Sequence, residues 1–137
     1  ARNFKLVFTN GCFDLLHTGH LDLLSNAAAF GDKLFVGLNS DTSVKKLKGD
    51  SRPIQNEKTR AIKLLELKYV DHVIIFEDLT PQNLIHTISP DVLVKGGDYT
   101  KNEIVGAKHV ISFGGVVKII PLTPGFSTTS IIEKSSN

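Results

Sequence analysis

The sequence predicts an α/β protein built on a doubly wound parallel sheet. Short apolar runs recur along the 137 residues, and stretches with apolar residues at helical spacing separate them. Near-continuous apolar strands alternating with helices are typical of a parallel sheet that is covered on both faces. Right-handed crossovers then place ligands beyond the carboxyl ends of the strands. We therefore expect a Rossmann-like, five-stranded parallel sheet with helices on both faces.

Each element is predicted from its own run of residues. The strand candidates are residues 5–10, 33–39, 72–76, 91–95 and 116–122. The helix candidates are residues 18–30, 57–68, 81–88, 103–112 and 130–134. Thr80 is expected to cap the third helix, with Pro81 in its first turn. Ile62, Leu65 and Tyr69 are expected along one side of the second helix. Residues 39–56 are expected to form a long polar loop, and loops of this length are often functional.

Composition limits the classes of protein to consider. One domain spanning residues 1–137 is expected, and 41% hydrophobic with 22% charged residues is the balance of a globular protein. A net charge of +2 does not indicate a nucleic-acid-coating surface, so we expect no nucleic-acid partner. The single cysteine, Cys12, excludes an intramolecular disulfide and a cysteine-based zinc site. No apolar run reaches membrane-spanning length and no signal peptide is evident, so we expect a cytoplasmic protein without membrane partners. The chain contains no methionine, so we expect that its original start is missing or processed.

Two histidines, His17 and His20 in GCFDLLHTGH, lie where the first strand turns into a helix. N–H groups in the first turn of a helix attract anions, and imidazoles there can donate hydrogen bonds to a phosphate. Gly19 lets a phosphate or nucleotide approach the backbone closely. A structural pair of capping histidines is nearly as good an interpretation. The pair could also ligate a metal, but no third His or Cys stands at a useful spacing.

Other polar clusters also follow predicted strands, so the sheet would bring them to one edge. Asp14 could hold Mg²⁺, orient a histidine or close a turn. Lys46 and Lys48 are candidate phosphate ligands, although a solvated surface commonly explains such a basic run. Arg60 could anchor the basic loop or join the site. Cys12 is expected to pack or to contribute its backbone, because no base is evidently paired with its thiol.

Two further segments could contact a nucleotide. In KGGDY, Gly96 and Gly97 permit the approach of a flat base and Asp98 could accept from a ribose hydroxyl, but an ordinary glycine-rich turn is equally plausible. In GFSTTSII, the three hydroxyl residues 127–129 precede a short apolar run. They are suited to cap a helix or to form a second phosphate cradle.

These pieces together resemble the nucleotidyltransferase superfamily that carries HxGH near its start and an STT-type phosphate motif near its end. GCFDLLHTGH, LNSDTSVKKLKG, RPIQNEKTR, VLVKGGDY and GFSTTSII are similar to the bacterial adenylyltransferases of D-glycero-D-manno-heptose 1-phosphate, including the adenylyltransferase half of bifunctional ADP-heptose synthases. The similarity runs from Phe4 to about Lys134. HxGH alone indicates only the superfamily, whereas KGGDY and NSDxSVKxLKG narrow it to the heptose group.

The resemblance implies transfer of AMP from ATP to heptose 1-phosphate, with Mg²⁺, by direct in-line attack, giving ADP-heptose and pyrophosphate. His17 and His20 would bind the triphosphate and stabilise the transition state, and Lys48 would take the triphosphate or the leaving pyrophosphate. Lys46 and Arg60 would take the acceptor phosphate. The other nucleotide-binding residues implied are Cys12, Phe13, Asp14, Gly19, Gly96, Gly97, Asp98, Phe126, Ser127, Thr128 and Thr129. A homodimer, a separate upstream sugar kinase and a product used for lipopolysaccharide or another surface glycan are also implied.

Two alternatives remain open. One is a cytidylyltransferase for glycerol 3-phosphate or a similar small alcohol phosphate. Such enzymes carry an arginine shortly before the STT motif, in a stretch resembling RTEGISTT, whereas this chain has Leu122 there. KGGDY also counts against this alternative. The other is a non-catalytic nucleotide-binding module, which would be favoured by loss of a histidine or of the STT hydroxyls; none is lost.

Overall fold

The computed structural model describes residues 3–97 and 103–121. The strands are β1 (Leu6–Gly11), β2 (Lys33–Asn39), β3 (His72–Phe76), β4 (Val92–Gly96) and β5 (Val116–Ile120). The helices are α1 (Thr18–Ala28), α2 (Asp41–Lys48), α3 (Glu57–Leu65), α4 (Gln82–Ile88) and α5 (Ala107–Ser112). All strand pairs are parallel, in the spatial order β3-β2-β1-β4-β5. The predicted five-stranded, doubly wound parallel sheet is confirmed.

Helices cover both faces of this sheet because alternate strand residues point to opposite sides. On one face, Val7 of β1 belongs to a core cluster with Leu24 of α1 and Leu64 of α3. On the other face, Phe8 of β1 belongs to a cluster with Ile85 of α4. All five of these side chains are 0% exposed. Burial of one such side chain contributes about 1.5–3 kcal/mol, so the two clusters fix the strands rigidly.

The order of the strands creates a switch point between β1 and β4. The chain builds outward from β1 to β2 and β3, then crosses back to place β4 on the other side of β1. The register pairs Val7 with Val92 and Phe8 with Leu93. Ligands of such sheets bind outside the carboxyl ends of the strands at this point. The residues that follow β1 and β4 therefore define the place to look for a site. Among the residues described, no helix has the length and apolar character needed to span a bilayer.

The helix α2 was missed, because residues 39–56 were predicted to be irregular. Ser40 caps this helix, with its Oγ accepting the N–H of Ser43 at 3.2 Å. The residues that α2 buries are Ser43 and Val44. A helix that buries one small polar and one apolar side chain has no apolar periodicity from which it could be predicted.

The side of α3 that carries Ile62 and Leu65 is not its buried side. The helix buries Arg60 and Leu64, whereas Ile62 and Leu65 are each 50% exposed. It ends at Leu65 rather than at Lys68. Hydrophobicity alone indicates the opposite face of α3 as the buried one. Arg60 can be buried because its hydrogen bonds within the protein replace those it would make to water.

Other boundaries differ by a few residues. The α1 helix ends at Ala28 rather than Phe30, and β5 ends at Ile120. Pro81 occupies the capping position of α4 without a side-chain hydrogen bond, so Thr80 is not its cap. The α5 helix begins at Ala107, four residues later than predicted, after Gly106 with a φ of 85°. The predicted helix 130–134 lies outside the described residues.

Candidate functional site

The two histidines cap α1, each with one ring nitrogen. Nδ1 of His17 accepts the N–H of Gly19 at 3.1 Å, and Nδ1 of His20 accepts the main-chain N–H of His17 at 3.3 Å. The rings are stacked, with centroids 3.8 Å apart and an interplanar angle of 26°. Because Nδ1 is the acceptor in each ring, the proton of each neutral imidazole is assigned to Nε2.

This geometry leaves hydrogen-bond donors for a ligand. Nε2 of His17 is buried and has no hydrogen-bond partner among the described residues. A buried donor without a partner costs about 1–3 kcal/mol, so an acceptor placed there is bound favourably. The capping and phosphate-binding interpretations of the pair are therefore compatible, since capping uses Nδ1 and leaves Nε2.

The environment keeps both rings neutral. Burial lowers the pKa of His17 below its ordinary 6.5. Burial, with smaller contributions from His17 and Lys48, lowers the pKa of His20 to about 4. At pH 7 each ring therefore carries one N–H on the side away from its capping bond, which suits an anionic oxygen.

The turn between β1 and α1 has an unusual backbone. Phe13 and Leu15 have φ of 46° and 64°, in the left-handed region that side chains rarely adopt. Phe13 is buried and meets the ring of His20 edge-on at 5.3 Å. A Cβ on Gly11 would lie 2.9 Å from the Phe13 ring. This packing fixes the direction in which the chain enters the histidine turn, and such strain is common at functional sites.

Asp14 ties the histidine turn to the loop between α2 and α3. Its carboxylate accepts the N–H of Ile54 at 2.7 Å and of Gln55 at 2.9 Å, and it pairs with Nε of Arg52 at 3.2 Å. Burial raises the pKa of Asp14, but these hydrogen bonds outweigh burial and hold the pKa below its ordinary 3.8. Both carboxylate oxygens are engaged. The geometry favours loop closure over the other two roles considered for Asp14, orienting a histidine and holding Mg²⁺.

Arg60 is a second buried residue whose hydrogen bonds link separate segments of the chain. Its side chain donates to the carbonyls of Gln55, Cys12 and Asn39 at 2.8–2.9 Å and to the carboxylate of Asp41 at 2.8 Å. Arg60 is 1% exposed. Four hydrogen bonds from one buried guanidinium join the ends of β1 and β2 to the start of α3. This favours the anchoring role of Arg60 over direct contact with an acceptor phosphate.

Positive charge gathers around Cys12. Burial raises the pKa of the Cys12 thiol, while Lys48, Arg60 and Arg52 act on the same group in the opposite direction. Lys48 also acts on His20. Lys46 lies exposed on α2. Lys48 is also exposed, so its charge lies near His20 and is open to solvent; its role as a triphosphate ligand stays a prediction.

The glycines contribute differently from one another. The N–H of Gly19 is already bound by His17, so Gly19 offers only the absence of a side chain. A Cβ on Gly96 would lie 3.2 Å from Leu23 of α1, so tight packing explains this glycine. Gly97 is buried with a φ of 120°, which requires glycine. The predicted residues Asp98, Leu122, Phe126, Ser127, Thr128 and Thr129 lie outside the described residues.

Sequence reasoning assigned no role to Lys95. This residue lies near the carboxyl end of β4 and acts electrostatically on Cys12. Burial lowers the pKa of Lys95. The feature of the sequence that could have indicated a role is that Lys95 follows the apolar residues of β4, the strand next to β1. Nothing in the described ranges groups three His, Cys, Asp or Glu side chains suitably for a metal ion.

Comparisons with known proteins show the family to which the chain belongs. A model of the family described as cytidylyltransferase-like matches residues 8–134. The chain is 57% identical over 130 residues to the bifunctional protein HldE of Koribacter versatilis, covering 95% of this chain and 27% of that protein. It is 57% identical over 131 residues to the HldE of Rhodopseudomonas palustris, covering 96% and 27%. The chain thus spans about a quarter of the length of these curated relatives.

A solved structure shares the fold and part of the sequence. It is the crystal structure of a lipopolysaccharide core biosynthesis protein from Thermoplasma volcanium, with a TM-score of 0.71 and 29% identity. The match covers 88% of this chain and 98% of that one. The resemblance stated from the sequence motifs is confirmed. With a family model that covers nearly its whole length, the chain belongs to the cytidylyltransferase-like family.

Proposed function

We propose that this chain transfers AMP from ATP to heptose 1-phosphate, giving ADP-heptose and pyrophosphate. The observation that carries the proposal is the pair of stacked, neutral histidines. Nδ1 of each ring accepts a capping hydrogen bond, so Nε2–H can donate to a ligand. The relatives named HldE and the lipopolysaccharide core biosynthesis protein support a sugar phosphate as acceptor.

The reaction needs positioning and charge stabilisation rather than a covalent enzyme intermediate. An oxygen of the acceptor phosphate attacks the α-phosphorus of ATP and forms a new P–O bond. The bond from the α-phosphorus to the bridging oxygen breaks, and pyrophosphate leaves with the electron pair. Nε2–H of His17 and His20, together with Lys48, stabilises the charge that develops on the phosphate oxygens. Lys46 is proposed as a ligand of the acceptor phosphate.

Mg²⁺ is proposed only as part of the nucleotide substrate. The described residues do not fit a metal site of their own, since they contain no suitable group of three ligands and both oxygens of Asp14 bind the loop. The remaining nucleotide contacts are assigned to the STT segment and to Asp98 from the resemblance. A homodimer and a sugar kinase that supplies the acceptor also stay predictions.

A cytidylyltransferase for a small alcohol phosphate is the second candidate, because the matching family is described as cytidylyltransferase-like. The two candidates differ in both substrates, so one experiment separates them. Pyrophosphate release is measured with Mg²⁺ for ATP and CTP, each against both anomers of heptose 1-phosphate and against glycerol 3-phosphate. The proposal expects release only with ATP and one heptose anomer. Release with CTP and glycerol 3-phosphate would replace it by the second candidate, and binding of nucleotide without any release would indicate a non-catalytic module.

A further inference from the structure

A small cavity lies beside the histidine turn, on the other side of the end of β1. Its lining residues are Asn10, Pro81, Lys95, Glu103, Ile104 and Val105, and its volume is about 210 Å³. Asn10 is the residue before Gly11 at the end of β1, and Lys95 lies one residue before the end of β4. The cavity therefore opens at the switch point of the sheet, where ligands of this fold bind.

The cavity faces the α4 and α5 side of the sheet. Leu93 of β4 belongs to the core cluster with Ile85 and Val110 on that side, and Lys95 points the same way because strand residues alternate. Gly96, the next residue, instead meets Leu23 of α1. The cavity and the histidines thus flank residues 10–17 from two directions.

The size and lining suit a sugar phosphate better than a nucleotide. Pockets for drug-sized ligands measure about 300–1,000 Å³, so about 210 Å³ accommodates a smaller group. The lining combines one ammonium, one carboxylate and one amide with apolar walls. An ammonium that is partly withdrawn from water is stabilised by an anion, and carboxylate and amide groups are suited to sugar hydroxyls.

From this arrangement we infer that Lys95 binds the phosphate of the acceptor sugar, which occupies the cavity between the ends of β1 and β4. The inference rests on the proposed function and adds a specificity-determining residue to it. Its consequence is that the acceptor approaches the nucleotide from the α4 and α5 side.

The test compares the wild-type chain with Lys95→Met, and uses Lys58→Met on the exposed surface of α3 as the matched control. Binding of heptose 1-phosphate is measured by calorimetry in the presence of a non-hydrolysable ATP analogue, and binding of that analogue alone is measured separately. Loss of one charge-assisted hydrogen bond is expected to weaken sugar phosphate binding about 10- to 100-fold. Affinity for the analogue is expected to change less than about twofold, and the control is expected to match the wild type.

A second variant keeps the inference testable if Lys95→Met does not fold. Val105 lines the cavity and is 38% exposed, so Val105→Phe fills the cavity without removing a charge. It is expected to weaken sugar phosphate binding and to leave the analogue bound. Unchanged sugar phosphate binding in both variants, loss of analogue binding instead, or no sugar phosphate binding by the wild type would overturn the inference. If the wild type binds the sugar phosphate through Lys95 but releases no pyrophosphate, the proposed activity fails and the binding site stands.

Discussion

Replacing Asp14 by asparagine separates a structural carboxylate from one that is kept for a ligand. Asp14 is 3% exposed and accepts two main-chain N–H groups, from Ile54 and Gln55, besides pairing with Arg52. Asparagine retains one carbonyl oxygen, so its amide nitrogen faces one of these donors and leaves that donor without a partner. An unsatisfied buried donor costs about 1–3 kcal/mol, and charge-assisted bonds are stronger than neutral ones. We therefore expect Asp14→Asn to lower the free energy of unfolding by about 2–4 kcal/mol.

The assay is urea unfolding at pH 7 with EDTA and without nucleotide. Asp32→Asn is the matched control, since Asp32 is exposed and its carboxylate accepts one main-chain N–H, from Lys5, at 2.7 Å. This control is expected to cost less than about 1 kcal/mol. An Asp14→Asn variant as stable as the wild type, or more stable, would refute the structural role and return Asp14 to the candidate metal ligands.

The pH dependence gives the same test a second readout. The pKa of Asp14 in the folded chain lies below its ordinary 3.8, so its contribution is fully present above that value and is lost as the pH falls through the folded pKa. The difference in stability between the wild type and Asp14→Asn should therefore shrink in acid.

Three other predictions concern the same turn and its supports. The ring of His20 should titrate near pH 4 by NMR, and a titration near pH 6.5 would contradict this prediction. Because the ring binds a proton more readily in the unfolded chain, the contribution of His20 to the free energy of unfolding should be complete above pH 6.5 and fall by about 1.4 kcal/mol per pH unit between pH 6.5 and 4. Arg60→Lys should lower the free energy of unfolding, measured by urea denaturation, by about 2–4 kcal/mol, because one ammonium cannot replace four hydrogen bonds. An unchanged free energy of unfolding would rule out the anchoring role of Arg60. Gly97→Ala should destabilise the chain by about 1–3 kcal/mol because of its φ of 120°, and an unchanged melting temperature would count against that backbone.

The sheet was predictable because helices cover both of its faces. Strands buried on both faces need apolar residues on both sides, so each strand is visible in the sequence as an apolar run. Each strand was found within two residues of its predicted ends. The parallel order followed from the alternation with helices. The helix α2 was not predictable in this way, because Val44 is the one apolar side chain that it buries. Ser40 as a cap was the signal that could have indicated it.

The chemistry of the histidine turn was partly predictable. The spacing of His17 and His20 at a strand-to-helix junction indicated both capping and phosphate binding, and the two roles use different ring nitrogens. The anchoring hydrogen bonds of Asp14 and Arg60 were not predictable. Asp14 accepts the N–H of Gln55, 41 positions away in the chain, and Arg60 donates to the carbonyl of Cys12, 48 positions away. No local pattern encodes such a contact. Hydrophobicity even indicated the opposite face of α3, because a fully hydrogen-bonded arginine is buried there.

In the proposed mechanism, Nε2–H of His17 stabilises the reacting phosphates, whereas Nδ1 of His17 only caps α1. His17→Asn tests it most directly, because asparagine is among the best capping residues and can accept the N–H of Gly19, but it lacks a donor at the position of Nε2. We measure urea unfolding and the kcat for pyrophosphate release from ATP and heptose 1-phosphate. We expect stability within about 1 kcal/mol of the wild type and a kcat lower by about 10²–10³-fold. A kcat close to the wild type in this folded variant would contradict the claim and leave the histidines as caps alone.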